Sequence, residues 1–257
     1  MATCAPERGA LTDERLPLDM AEDRVALVTG ASSGIGRGIA LRLGAKGMRV
    51  GIVARRKEHL KKVAASIEKS GGKAIVLPGD VRDASVAESA VKGVVEAWSR
   101  LDILVNNAGV GKYAPVEQLT EESFRNQVET NVLAPFFFTR AAVPVMKRQK
   151  SGQIVNIGSV VGLVGVPRGT AYVATKWALR GMNECWREEL YPDGIKVAYV
   201  APGYVITEFG GRKEDLGSTE AEWALTVDDV AHAVEAIVDQ GPNSDIREVV
   251  IQVRDRS

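Results

Sequence analysis

Short apolar runs rich in β-branched residues alternate with helix-length amphipathic segments from residue 25 almost to the end of the chain, and no other feature narrows the possible folds as far. The runs are Val25–Thr29, Val50–Ala54, Ala74–Leu77, Ile103–Val105, Ile154–Ile157, Val197–Val200 and Glu248–Val253. They are almost continuously apolar, as strands covered on both faces are. In the intervening segments Glu58–Lys69, Ser85–Trp98, Glu121–Met146, Ala171–Leu190 and Val227–Asp239, apolar residues recur three and four apart, the spacing of a helix with one buried face. The pattern predicts an α/β fold, a doubly wound sheet of seven mainly parallel strands with helices on both faces. At 257 residues and 45% hydrophobic, with no internal repeat, the chain suits one domain over 23–257 behind a loose leader, 1–22.

Directly after the first run comes Thr29-Gly30-Ala31-Ser32-Ser33-Gly34-Ile35-Gly36, leading into the helical Ile39-Ala40-Leu41-Arg42-Leu43. Glycines at a strand-to-helix turn allow positive φ and close backbone approach, while the helix start offers free N–H groups to a pyrophosphate. This predicts nucleotide binding by Gly30, Ser32, Ser33, Gly34, Ile35 and Gly36. A site selective for NAD usually places an acid about 20 residues on, where it binds the ribose 2′-hydroxyl and repels a 2′-phosphate. Here that place holds Ala54, followed by Arg55 and Arg56, whose guanidinium forks suit a phosphate. The expected cofactor is NADP, with Arg55 ahead of Arg56 as the phosphate partner.

Tyr172 and Lys176 stand four apart on a predicted helix, hence on one face, where an ammonium could lower the tyrosine's pKa from its usual value of about 10 and ready it for proton exchange. Ser159 lies just past the fifth run, at the sheet edge where open α/β folds bind ligands. The spacing G-x-x-x-G-x-G, Asn106-Asn107-Ala108-Gly109 after the fourth run and Tyr172-x-x-x-Lys176 come in that order, and together they resemble the short-chain dehydrogenase/reductase family, NADP(H)-preferring type, over about residues 24–253. The resemblance implies a Rossmann fold. It also implies that Ser159 hydrogen-bonds a substrate carbonyl, that Tyr172 donates the proton, and that Lys176 tunes the tyrosine and holds the nicotinamide ribose. Asn131 matches the family asparagine that supports the lysine through water. Asp80 and Val81 match the pair that meets the adenine, though Asp80 could equally cap a helix before Val86. Asn107 and Gly109 line the cofactor groove, and Pro202, Gly203, Val205 and Thr207 match the segment whose residues at Val205 and Thr207 hold the carboxamide. The tail Asp245-Ile246-Arg247-Glu248-Val249-Val250-Ile251 departs from the Val-Asp-Gly-Gly ending of many members and looks more like the branch of serine and 3-hydroxy acid dehydrogenases, which argues against a fatty-acid-synthesis role.

The function expected is interconversion of a carbonyl and a secondary or primary alcohol by hydride transfer, with Tyr172 as general acid and base. Two other readings stay open: a catalytically silent NADP-binding sensor or scaffold, and an isomerase or dehydratase that recycles bound nicotinamide. Substrate choice is expected to lie in the loop at about 203–226 and in Val160, Val161, Val166 and Arg168, while Arg168, Arg212 and Lys213 read foremost as solvated charges. His59 and His232 fall on helices away from every motif, so neither a metal cluster nor a Ser-His-Asp nucleophile is expected. Thirty-three basic residues balance thirty-three acidic ones, which argues for a small-molecule partner and against nucleic acid or a membrane surface. Cys4 and Cys185 form no metal or redox spacing, the leader lacks the pattern of a signal peptide, and a cytoplasmic location follows. The resemblance implies a homo-oligomer, tetramer or dimer, with Glu121–Met146 and Ala171–Leu190 meeting across a two-fold axis; Phe136, Phe137 and Phe138 could instead be core.

Overall fold

The computed structural model describes residues 23–209 and 224–253, so the leader 1–22 and Gly210, Gly211, Arg212 and Lys213 lie outside the described residues. The strands are β1 Val25–Thr29, β2 Arg49–Ala54, β3 Lys73–Pro78, β4 Ile103–Asn106, β5 Gly152–Ile157, β6 Ile195–Pro202 and β7 Glu248–Ile251. They form one sheet in the order β3-β2-β1-β4-β5-β6-β7, and every pairing is parallel rather than mainly so. The helices are α1 Gly34–Ala45, α2 Lys57–Lys69, α3 Ala84–Trp98, α4 Glu121–Val128, α5 Ala134–Gln149, α6 Thr170–Leu190 and α7 Val227–Val238.

Side-chain alternation divides the core in two. Ala26 and Val28 of β1 point to one face and pack with α1, α2 and α7 through Ile39, Leu60 and Val234, while Val25 and Leu27 point to the other and pack with α3 and α5 through Val91 and Phe138. Helices therefore cover both faces, which is why the strands lack a polar side. The strand order reverses between β1 and β4, and connections leave those neighbours in opposite directions to open a crevice at their C-terminal ends. Both the glycine turn and Asn106–Gly109 open onto it.

The segment expected as one helix, Glu121–Met146, is interrupted. A π turn, Glu129–Leu133, joins α4 to α5, and the helical run continues to Gln149. A period of three and four does not register one extra residue in a turn. Of the three phenylalanines, Phe138 is fully buried, Phe137 packs against the core, and Phe136 is 39% exposed beneath the Arg140 guanidinium.

Below the crevice, buried amides tie sheet to helices. Asn106 Nδ2 donates to Asn156 Oδ1 (2.9 Å) and Thr139 Oγ1 (3.1 Å), and Asn156 Nδ2 donates to Asn183 Oδ1 (2.9 Å), linking β4, β5, α5 and α6. Removing the middle amide strands polar groups on both sides in a site without solvent. Asn156→Ala is expected to lower unfolding stability by about 2 kcal/mol, measured by urea denaturation; an unchanged midpoint would show that the ladder contributes nothing.

Candidate active site

The crevice is built by close approach. Gly30 has φ +67, and a Cβ on it would lie 2.8 Å from Ala108 Cα. A Cβ on Gly36 would lie 2.3 Å from Asn107 Nδ2 and 2.6 Å from the Gly30 carbonyl oxygen. A side chain at Gly30 would press on the backbone that leaves β4, and one at Gly36 would collide with the turn's own carbonyl and the Asn107 amide. The gap is then sewn by a residue that the sequence reading passed over: Thr29 Oγ1 accepts from the backbone N–H groups of Asn107 (2.9 Å) and Ala108 (3.0 Å) and donates to the Val105 carbonyl (3.3 Å). Asn107 Nδ2 returns a bond to the Thr29 carbonyl (2.9 Å). Threonine at the end of an apolar strand, just before the glycines, is the signal that could have been read.

The first turn of α1 carries N–H groups that no carbonyl of the helix reaches, and Ser33, extended at its N-cap, supplies no side-chain cap. No acidic side chain stands in that turn. This is the donor set of an anion site. Arg56 lies on it, donating to Ser33 Oγ (2.7 Å) and Ser32 Oγ (3.3 Å), with Glu208 3.5 Å away. Arg55, expected as the nearer partner, is exposed, and its charge helps hold the Asp80 carboxyl low. The first cause of that depression is the hydrogen bond from Arg82. Asp80 does not cap α3; Asp83 does, accepting from Ser85 N at 2.8 Å. Buried Val81 follows Asp80 along the chain.

Beyond Gly109 the chain is held by two amides one turn apart. Asn131, within the π turn and 1% exposed, accepts from Val110 N (2.9 Å) and donates to Val110 O (2.8 Å) and to Thr175 Oγ1 (3.0 Å) on α6. Gln127, equally buried, accepts from Lys112 N and donates to Lys112 O. Side chains thus take the part of a neighbouring strand. Tyr113 follows directly, and its ring lies 5.7 Å from that of Tyr172. Phe209 stands 5.6 Å from Tyr172, fitted over Gly111, where a Cβ would come within 2.7 Å of its ring. Neither aromatic residue was singled out in the sequence, because only the fold sets them beside Tyr172.

Tyr172 and Lys176 share one face of α6, both buried. Ser159 begins a 3₁₀ turn, Val160–Gly162, and accepts from Val161 N, with its side chain near enough to Tyr172 to act on the phenol's pKa. The Lys176 ammonium donates to the Ile157 carbonyl (2.9 Å) and lies 5.7 Å from the centre of the Tyr172 ring. Burial pushes the Tyr172 phenol well above the ordinary tyrosine range, helped by the Tyr113 phenol and opposed by the Ser159 side chain. Burial also lowers Lys176 to about 8. The expected lowering of Tyr172 by its lysine is therefore not what the protein's own groups produce: low dielectric disfavours both charges.

The remaining expected positions fall at the rim. Gly203 N donates to Ile251 O (2.7 Å), anchoring the chain as it leaves β6 at Pro202; Val205 bridges to Leu225; and Thr207, nearly buried, lies against Gly34. Arg168 is exposed, in the left-handed region at φ +65, with its carbonyl accepting from Ala114 N. His59 lies in α2, and His232, in α7, pairs with Arg42 at 3.0 Å. Among the described residues no group of three or more His, Cys, Asp or Glu could hold a metal, and no helix is long and apolar enough to cross a membrane.

Residues 24–216 match the family model described as short chain dehydrogenase. An uncharacterized oxidoreductase of Thermotoga maritima is 40% identical over 187 residues, 73% of this chain and 74% of that protein. A 3-oxoacyl-(acyl-carrier-protein) reductase of Staphylococcus aureus is 39% identical over 184 residues, 71% of this chain and 75% of that one. Among solved structures, an alcohol dehydrogenase of the archaeon Thermococcus sibiricus, complexed with 5-hydroxy-NADP, superposes with a TM-score of 0.83 at 32% identity, covering 89% of this chain and 95% of that chain. A metagenomic short-chain oxidoreductase in complex with NADP gives 0.79 at 35% identity, covering 91% and 98%.

The lysine's depressed pKa makes a statement about stability. An unfolded lysine keeps its proton to about 10.5 and the folded one only to about 8, so between these values the unfolded state binds more protons. Stability must rise with pH across that window, and below pH 8 the fold carries the full cost of the buried charge. Lys176→Met is expected to raise the thermal midpoint of the protein alone at pH 7, by up to about 3 kcal/mol in stability, and to abolish the rise between pH 8 and 10.5. Equal slopes for parent and variant would contradict it.

Proposed function

Because this chain belongs to the short-chain dehydrogenase family, we propose that it is an NADP(H)-dependent oxidoreductase that interconverts a carbonyl with a secondary or primary alcohol, Tyr172 acting as general acid and base. One observation carries the reading: Ser159, Tyr172 and Lys176 lie together, with Lys176 beside Gly109, at the crevice between β1 and β4 onto which the uncapped start of α1 also opens.

The residues present fit the dinucleotide. The free N–H groups of the first turn, with Gly30, Ser32, Ser33, Gly34, Ile35 and Gly36, would hold the pyrophosphate. Asp80 and Val81 would meet the adenine, Asn107 and Gly109 the groove, Pro202, Gly203, Val205 and Thr207 the carboxamide end, and Tyr172 with Lys176 the ribose. Ala54 leaves no acid to repel a 2′-phosphate, and Arg56, already on Ser32 and Ser33, is placed to receive it with Arg55 beside it. The NADP and 5-hydroxy-NADP in the two similar structures support this choice.

The nicotinamide supplies the hydride when bound. In reduction, the Ser159 hydroxyl orients the carbonyl oxygen and the Tyr172 phenol delivers the proton as charge develops there. A phenol kept neutral by burial retains the proton it has to deliver, and the Ser159 side chain beside it eases its ionisation. Lys176, held on the Ile157 carbonyl, sits near enough to steady the phenolate that remains. Asn131 keeps the wall after Gly109 in place. Tyr113 and Phe209, each partly exposed beside Tyr172, give the substrate side an aromatic lining, suited to a carbonyl bearing an apolar group. A scaffold role would not call for this assembly, and a net change in reduced nicotinamide separates an oxidoreductase from an isomerase or dehydratase. Half-exposed Leu133, Phe136 and Trp177 around α5 and α6 support a homo-oligomer, tetramer or dimer.

In a screen of small ketones, β-keto acids, aldehydes and quinones, at least one compound should oxidise NADPH. With it, Tyr172→Phe should lose about 10²–10⁴ in kcat while NADPH binding by fluorescence stays unchanged; near-parental turnover would remove Tyr172 from its role. Arg56→Ala should raise the KM for NADPH more than Arg55→Ala does, and Ala54→Asp combined with both should improve use of NADH. A native preference for NADH would overturn the phosphate assignment.

A further inference from the structure

Tyr199 lies in the middle of β6, 1% exposed, and its ring passes under the segment that carries Ser159. The fit depends on two glycines flanking that serine. A Cβ on Gly158 would stand 2.0 Å from Tyr199 Cζ and 2.2 Å from its Oη, and a Cβ on Gly162 would stand 2.3 Å from Oη. The hydroxyl end therefore occupies the space that side chains at 158 and 162 would fill, between β5 and the 3₁₀ turn. From there it accepts from the backbone N–H of Ser159 and donates to the backbone carbonyl of Lys176, both at 3.4 Å. Burial holds its pKa up at about 12, so the hydroxyl keeps its proton over any usable pH and can serve both partners.

These contacts add a tie at the Ser159 end between two elements that the Asn156–Asn183 and Lys176–Ile157 bonds also hold together. Ser159 arrives at the end of β5, Lys176 on α6, and Tyr199 reaches both from the next strand. Leu179 of α6 and Ala201 of β6 pack with the same ring, so its position is fixed along its length. Taking Ser159 and Lys176 to act as described under the proposed function, we infer that Tyr199 is a positioning residue, setting the distance between the serine that orients the carbonyl and the lysine beside Tyr172. Gly158 and Gly162 are the concession the chain makes to it. The residue touches no substrate; it acts through the backbone of the two residues that do the work.

The test pairs the hydroxyl with the wedge. Tyr199→Phe retains the ring and removes both hydrogen bonds. It should fold and bind NADPH as the parent does, with an unchanged KM for NADPH and a kcat reduced about tenfold. Loosening Ser159 also weakens its lowering effect on the Tyr172 phenol, so the acid limb of alcohol oxidation should move to higher pH. Gly158→Ala should lose more kcat than Tyr199→Phe, and adding Tyr199→Leu, which clears the ring, should restore part of that loss. Parental kcat and pH limb in Tyr199→Phe would overturn the inference, including the case where only its thermal midpoint falls, and so would undiminished turnover in Gly158→Ala. Tyr172→Phe and Ser159→Ala are measured alongside. If both of those turn over normally, the reading of the site itself has failed; if both are inactive while Tyr199→Phe is normal, only the positioning role has.

Discussion

The architecture of the crevice depends on two parallel strands ending side by side with almost nothing between them. Thr29 and Asn107 sew the ends of β1 and β4 together, and Gly30 and Gly36 leave the room that stitch needs. Everything that follows in the chain from either end, the α1 start on one side and the Val110–Tyr113 wall on the other, takes its position from this contact. The seam lies where the strand order reverses, so the connections diverge from it and leave it open to a ligand.

Around that opening, polar groups are numerous and dry. Asn131, Thr175, Ser159, Lys176 and Tyr172 are all buried, and the side chains of Asn131, Thr175 and Lys176 bond to backbone groups or to another of the set. Low dielectric presses Tyr172 and Lys176 toward their neutral forms in the protein alone. Each is then sensitive to whatever charge enters the crevice, because in such surroundings a neighbouring charge acts at nearly full strength. The same dryness makes the backbone anchors important, since a group that slips from its partner finds no water to replace it.

Much of this was legible in the chain. Runs such as Val25–Thr29 and Ile154–Ile157 read as strands covered on both faces because burial on both faces removes the polar alternation, and the glycines read as a strand-to-helix turn because their spacing is a property of local backbone. Contacts set by the path of the chain rather than by local sequence were not legible. Arg55 and Arg56 are adjacent in sequence, and only the path of the chain into α2 turns Arg56 rather than Arg55 onto the serines. Tyr199 read as one more apolar residue in a strand; its hydroxyl acquires meaning from Gly158 and Gly162, some forty residues earlier. The π turn escaped because one extra residue leaves the helical period nearly intact.

That extra residue fixes the phase of the helix. Each residue turns an α-helix by about 100°, so the turn at Glu129–Leu133 determines which way Gln127 and Asn131 face relative to α5. Deleting Val132 or Leu133, on the α5 side of Asn131, would turn both amides by about 100° relative to α5 and off the Val110–Lys112 backbone. In an alignment, such a gap would look like harmless length variation in a helix. For this chain it would be a change in the wall of the crevice, so the length of this helix carries structural information that the motifs do not.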